Sequence, residues 1–294
     1  MKILALIPTY NNADTIADVV HRTVAAMVRL SDEAGLSHNE QEDKVGSAEG
    51  SVSDTTSNGV KSAEVPQRKP KGVSVLVVND GSTDNTPALL EKLQAECDAL
   101  QVLSYDINRG KGYALSRGLQ QARQQGYDYA VTLDADGQHY PEDIPLLLQP
   151  LRTVADEGRL VVGSRNLNAD NMPAGNSFAN RFSNFWFFLQ TGHHLPDTQT
   201  GFRVYDLHYL PHIHFITRRY ESELELLVFS AWRGVRLIPV PVRVCYPPER
   251  VSHFRPFWDF FRISLLNALL CVAALLYGYP AQLCRRIKKS LKSH

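Results

Sequence analysis

Ala130-Val131-Thr132-Leu133-Asp134-Ala135-Asp136-Gly137-Gln138-His139 is a run of strand-forming residues that ends in two aspartates one residue apart. In an extended chain residues i and i+2 point to the same side, so a strand end aims both carboxylates at one point. Such a pair at the mouth of a parallel sheet suits Mg²⁺ or Mn²⁺, which take hard oxygen ligands and share them with substrate phosphates. Asp and Gly are also ordinary turn residues. The meaning of the pair therefore rests on its surroundings.

Those surroundings are repeated strand-helix units. Lys2 to Ile7 is apolar after its lysine and stops at Pro8, which predicts a buried first strand. A helix follows with Ile16, Val19, Val20, Val24 and Met27 on one face. Val73 to Val78 predicts a second strand, after which Thr86 and Pro87 open a helix that runs to about Cys97. Val102 to Tyr105 predicts a third. It leads into Asn108-Arg109-Gly110-Lys111-Gly112, a glycine-flanked loop at the start of a helix over 114–124. Glycines and a lysine at a helix N-terminus suit a phosphate.

Beyond the aspartates, Pro141 opens another helix, and Leu160 to Val162 predicts a fifth strand that ends in Gly163-Ser164-Arg165. Helices are expected over 174–192, carrying Arg181, and over Glu221 to Trp232. Arg236 to Tyr246 reads as an edge strand, because Pro239 and Pro241 interrupt its donors. Repeated units of this kind make a three-layer α/β domain, with ligands held where loops leave the carboxyl ends of the strands. The first strand is not followed by Gly-x-Gly-x-x-Gly, which argues against dinucleotide oxidoreduction.

With 294 residues, 44% of them apolar, the chain is large enough for one substantial domain and an appendage. Its formal net charge is zero, so nothing in the global charge points to nucleic acid. Cys97, Cys245, Cys271 and Cys284 lack metal-type spacing and read as reduced thiols. The histidines form no metal set either. Met1 leads straight into a strand, so no secretory signal is expected and the chain is assigned to a cytoplasmic face.

Residues 31–72 are polar, lack aromatics and lose all apolar period, which predicts a disordered insert. After Arg255 come Phe257, Trp258, Phe260 and Phe261, and then an apolar stretch from Ile263 to Tyr279. Arg285, Arg286, Lys288, Lys289 and Lys292 close the chain. Aromatics before the stretch and cations after it predict a membrane-associated segment over 251–294, either spanning or lying flat.

Taken together and in this order, the motifs resemble family 2 glycosyltransferases of the GT-A fold, most closely the dolichyl/polyprenyl-phosphate mannosyl- and glucosyltransferases. The resemblance covers 2–30 and 73–206 well and the region to about 262 more loosely. It implies a catalytic domain over 1–30 and 73–250. Pro8, Tyr10, Asn12 and Asp80 would then meet the nucleoside, and Lys111 the diphosphate. Asp134 and Asp136 are the family's Asp-x-Asp, with Asp136 the main ligand of Mg²⁺ or Mn²⁺ and Gln138 beside the sugar. Arg165 would face the phosphates, Arg181 would be a second phosphate ligand, and Arg203 belongs to the Asp-x-x-Ser/Thr-Gly-Phe-Arg segment at 197–203.

The implied reaction is inverting transfer of mannose or glucose from a GDP- or UDP-hexose to a polyprenyl phosphate at the membrane. An ionised phosphate needs no strong base, only cations to hold it. The alternative is transfer to a saccharide or glycolipid hydroxyl, which needs a base such as Asp197 or Glu223. A silent nucleotide-sugar binder is disfavoured by the intact aspartate pair.

Overall fold

The computed structural model describes residues 1–42, 74–153, 157–165, 174–210, 217, 219, 221–245 and 256–292. Its strands are β1 (Ile3–Thr9), β2 (Val75–Asp80), β3 (Leu100–Tyr105), β4 (Tyr129–Thr132), β5 (Arg159–Ser164), β6 (Arg203–Asp206) and β7 (Arg236–Pro241). They form a single sheet in the order β3-β2-β1-β4-β6-β5-β7. Every neighbouring pair is parallel except those of β6, which runs against both β4 and β5. All of β2 is buried, as a strand covered on both faces must be.

The helices are α1 (Ile16–Glu42), α2 (Thr86–Glu96), α3 (Lys111–Gln124), α4 (Ile144–Leu148), α5 (Ala174–Thr191), α6 (Glu221–Trp232), α7 (Pro256–Ala273) and α8 (Tyr279–Lys292). Alternation along β1 assigns them to two layers. Leu4 and Leu6 join a core with Leu115 of α3, Phe187 of α5, Leu227 of α6 and Leu266 of α7. Ala5 and Ile7 point the other way, into a core with Val20 of α1, Leu90 of α2 and Leu147 of α4. The result is the three-layer α/β domain expected from the sequence.

Several boundaries differ from expectation. Helix α1 continues to Glu42, so 31–42 is helical where an insert without structure was expected, and 43–72 lies outside the described residues. Strand β6 was not foreseen: four residues inside a motif give too short a run for periodicity to register. Strand β7 does lie at the sheet edge, where Pro239 and Pro241 cost no ladder partner on the open side. It ends at Pro241, and Val244 then bridges to His139. Val73, Tyr246 and Arg255 are outside the described residues.

A π turn at Ala274–Gly278 joins α7 to α8. Leu266, Leu270, Ala274 and Gly278 face the domain, and Gly278 sits against the indole of Trp232. A Cβ at Gly278 would come within 2.5 Å of the indole nitrogen, and that nitrogen is itself pinned to the Gln190 carbonyl at 2.8 Å. Gly278→Ala is accordingly expected to destabilise the fold by about 1–3 kcal/mol. Chemical unfolding followed by tryptophan fluorescence checks this, and an unchanged midpoint would show that α7 and α8 do not dock here.

Candidate active site

A cavity of about 430 Å³ opens at the carboxyl ends of β1, β2 and β4. The reversal of β6 brings its leading loop to the same edge: Arg203 pairs with Thr132, and the Thr132 hydroxyl donates to the Gly201 carbonyl at 2.7 Å. One side of the cavity therefore comes from loops after parallel strands and the other from the loop before an antiparallel one.

Pro8, Tyr10, Asn12 and Asp80 all line the cavity. Asn12 Oδ1 accepts from the Thr9 hydroxyl at 3.1 Å and from the Tyr10 amide at 3.2 Å, which closes the turn after β1. Asp80 accepts from the amides of Arg109 at 2.9 Å and Gly110 at 2.7 Å. It thereby fixes the glycine loop that presents Lys111. Gly81, between β2 and that loop, has φ +70°, and a Cβ there would meet the backbone of Ile107 and Asn108 at 2.5 Å. Only glycine fits.

Lys111 leaves the first turn of α3 and places its ammonium 2.6 Å from Asp134 Oδ1 and 2.9 Å from Glu223 Oε2. Burial works against this charge, but the two carboxylates hold the ammonium above the usual lysine range. Burial also acts to raise Asp134. The charge of Lys111 and the contact with His139 Nε2 at 3.5 Å outweigh it and keep Asp134 well below the usual carboxylate range. Gly201 packs so closely on Asp134 that a Cβ would lie 2.6 Å from both carboxylate oxygens.

Asp134 and Asp136 do share one cavity, but both come after the end of β4, in the loop and turn that follow it. Asp136 is pushed up, first by burial and then by the charge on Asp134. One of its oxygens accepts from the Gln138 amide at 3.1 Å, and the Gln138 side-chain nitrogen is buried without a partner among the described residues. A carboxylate disfavoured by neighbouring negative charge, sharing its cavity with Asp134, fits a divalent ion ligated by oxygens of Asp136 and Asp134, while the orphaned Gln138 nitrogen is a donor that suits a sugar or phosphate oxygen. The described residues contain no cluster of three or more His, Cys, Asp or Glu suited to a metal. The protein would thus supply few ligands and leave room for phosphate oxygens and water.

Farther along the cavity stands Arg165. Its Nε and Nη2 donate to Asp197 at 2.5 and 2.9 Å, and Asn180 Nδ2 donates to the same carboxylate at 2.7 Å. Asp197 is fully buried; burial would raise it, yet Arg165 and Asn180 keep it low. It fixes the planar guanidinium on the cavity wall.

Two expected ligands are not brought there. Arg203 is fully buried and does not line the cavity; it donates to the carbonyls of Thr200 at 2.8 Å, Thr198 at 3.0 Å and Glu223 at 2.8 Å. With its donors spent on backbone, it ties the 197–201 loop to α6 and is not a phosphate ligand. Arg181 is exposed on α5, whereas Ala179 and Ser183, on either side of it, line the cavity. Helical geometry turns Arg181 away from the face that Arg165 occupies.

Other residues were not foreseen: His139, Asn180, Arg219 and Glu221 all belong to the site or its support. One signal was available for the α6 group. Glu221, Glu223 and Glu225 interrupt a helix whose other residues are mostly apolar, and all three prove buried. Buried acids need partners.

A family model described as "Glycosyl transferase family 2" matches residues 58–210, just over half of the chain. The chain belongs to glycosyltransferase family 2. Among relatives, the UDP-N-acetylglucosamine–dolichyl-phosphate N-acetylglucosaminyltransferase of Methanococcus voltae is 32% identical over 66% of this chain and 85% of its own length. The undecaprenyl-phosphate mannosyltransferase of Micrococcus luteus is 32% identical over 57% of this chain and 70% of its own length. Among solved structures, glucosyl-3-phosphoglycerate synthase from Mycobacterium tuberculosis, with Mn²⁺, UDP-glucose and phosphoglyceric acid, superposes with a TM-score of 0.56. That match covers 93% of this chain and 79% of the synthase at 18% identity, a likeness of fold. This glycosyltransferase thus has the GT-A arrangement that its motifs imply.

Two substitutions separate chemistry from scaffold. Asp136→Asn should leave the fold intact while weakening Mn²⁺-dependent binding of a nucleotide sugar at least about tenfold, an interaction of 1.4 kcal/mol or more. Titration calorimetry with and without chelator reads it, and equal affinity in both would remove Asp136 from the metal assignment. Arg203→Ala strands three buried carbonyls and should cost about 3 kcal/mol or more. Urea unfolding measures that loss, and a stable but inactive Arg203→Ala protein would return Arg203 to the site.

Proposed function

We propose that this glycosyltransferase moves a hexose, mannose or glucose, from a GDP- or UDP-sugar to a polyprenyl (dolichyl-type) phosphate, with inversion, at the cytoplasmic face of a membrane. The observation that carries the choice of acceptor is the state of the two carboxylates a hydroxyl acceptor would need. Asp197 is fully buried and clamped by Arg165 and Asn180, so it has neither access nor basicity. Glu223 is engaged by the Lys111 ammonium at 2.9 Å. A phosphate with a second pKa near ~6 is already ionised at neutral pH and attacks through its own oxygen.

The remaining features support the same reading. Departure of the nucleoside diphosphate builds negative charge, and the Lys111 ammonium, held by Asp134 in the cavity wall, is suited to offset it. Asp136 and Asp134 would hold a divalent ion, whose charge would further offset that of the leaving diphosphate. Arg165, pre-set by Asp197, offers a planar donor for the incoming phosphate. Ile263 of α7 lines the cavity, and the same helix exposes Leu265 and Leu269, so the site adjoins an apolar surface. Arg262 to Lys288 is long and apolar enough to cross a membrane. The relatives named above act on lipid phosphates, as their names state. All four cysteines are free, which supports a reducing compartment.

The test is a matrix of GDP- and UDP-sugars against polyprenyl phosphate, polyprenol and free saccharides in detergent. Only the lipid phosphate should accept, and its rate should be flat from about pH 7 upward because the nucleophile is already ionised. Arg165→Ala should lower kcat/KM for the lipid phosphate by about 100-fold, as for loss of one pre-organised donor. Equal use of polyprenol or a free sugar would establish the hydroxyl acceptor and make Glu223 the base to examine.

A further inference from the structure

Helices α7 and α8 carry two opposed stripes. One faces the domain. Leu266, Leu270, Ala274 and Gly278 are buried, and polar residues on the same face bond to the catalytic domain. Asn267 Oδ1 accepts from Gln190 Nε2 at 3.0 Å, and Gln282 Nε2 donates to the Thr191 carbonyl at 3.1 Å. Farther on, Arg285 packs over Gly234, where a Cβ would lie 3.1 Å from its Nε. The docked stripe therefore runs along α5 and α6 from Leu266 to Arg285.

Among the described residues nothing covers the other stripe. Leu265, Leu269, Val272, Leu276, Leu283 and Ile287 recur every three to seven residues on one side, and each is more than half exposed. On α5, Phe185 and Leu189 are exposed beside it, and the Leu189 carbonyl accepts from the Tyr279 hydroxyl at 2.6 Å. No acid occurs between Arg262 and Lys292, and Arg286 and Lys288 are exposed among the apolar residues of α8.

We propose that α7 and α8 lie flat in the interface of an anionic membrane, docked on the catalytic domain along their length, and do not cross the bilayer. Three observations carry this beyond membrane association as such. Upright insertion would strip the helices from α5 and α6, uncover Trp232, and leave Asn267 and Gln282 without partners in hydrocarbon. The exposed apolar stripe continues to Ile287 and Leu291, beyond the uncharged run over 263–284 that a span would use. Over residues 285–292 cations interleave with the last apolar residues of that stripe, Ile287 and Leu291, the pattern of an interfacial helix beside anionic headgroups. Ile263, in the cavity wall, then sets the cavity mouth at headgroup depth, where the phosphate of a polyprenyl lipid resides. The inference rests on the lipid-phosphate reading for its membrane, and it adds the orientation.

The test uses the full chain with its four cysteines replaced by serine, and single probes at Leu265→Cys, Leu269→Cys, Leu276→Cys, Leu283→Cys and Ile287→Cys. Each carries an environment-sensitive fluorophore and is mixed with vesicles of phosphatidylglycerol and phosphatidylcholine containing shallow or deep lipid-attached quenchers. Flat binding gives the same shallow depth at every position. A depth that deepens towards the middle of the series and returns would overturn the flat orientation while keeping the membrane. No quenching with any vesicle would overturn the membrane itself. Probe protection without lipid, rising with protein concentration and matched by a dimer in sedimentation, would assign the stripe to a second copy and overturn the proposal. Leu269→Glu combined with Leu276→Glu should reduce vesicle partitioning about tenfold or more, while lipid-free hydrolysis of the nucleotide sugar stays unchanged. Equal partitioning of this variant would overturn the assignment of the stripe.

Discussion

The ammonium of Lys111, held between Asp134 and Glu223, is the contact that joins the parts of this enzyme. It connects the first turn of α3, the loop after β4 and the buried helix α6 across one cavity. A largely buried ion pair of this kind contributes little net stability when intact, but removing one partner leaves a charge stranded, at a cost of about 3–5 kcal/mol. Its value is positional. Asp134, Asp136 and Glu223 outnumber Lys111 by two negative charges, and Asp136 is raised first by burial and then by the charge on Asp134. An excess of two suits a divalent cation, whose charge would balance it.

The reversed strand β6 makes that coupling possible. Had it run parallel, the Thr200-Gly201 corner would sit at the opposite end of the sheet from Asp134. Running antiparallel, it delivers Gly201 against the Asp134 carboxylate and brings Thr198 to Gly201 into the cavity wall. Arg203 is consumed in holding this loop, three carbonyls deep. Asp197, at the other end of the motif, is consumed in holding Arg165. A segment that reads as a ligand set is therefore mostly a frame, and the guanidinium it holds towards the cavity is that of Arg165.

Much of this was legible in the sequence because burial on both faces leaves an unmistakable record. The apolar runs of β1 and β2, the Thr86-Pro87 start of α2 and the paired prolines of β7 each state their place. The aspartate pair, the glycine loop with Lys111, and Arg165 were legible as chemistry at strand ends. What sequence could not give was direction and depth. Nothing in Arg203-Val204-Tyr205-Asp206 records an antiparallel course. An arginine that ligates phosphate and one that ligates carbonyls are also the same letter, so Arg203 was misplaced. Arg181 failed for a related reason: a shift of two residues on α5 separates the cavity face from the outer face. The helical extension of α1 to Glu42 lacks apolar period, so polarity concealed it.

The central claim is that an acceptor phosphate attacks the sugar carbon with no protein base. Phosphorus-31 NMR of the lipid product tests it most directly, because phosphorus reports which bond was made. The expected result is conversion of the polyprenyl phosphomonoester signal into a single phosphodiester signal, with the nucleoside diphosphate released beside it. A pair of coupled pyrophosphate signals would mean attack at phosphorus. An acceptor phosphomonoester left unchanged while sugar is transferred would mean a hydroxyl nucleophile. Either would contradict the mechanism.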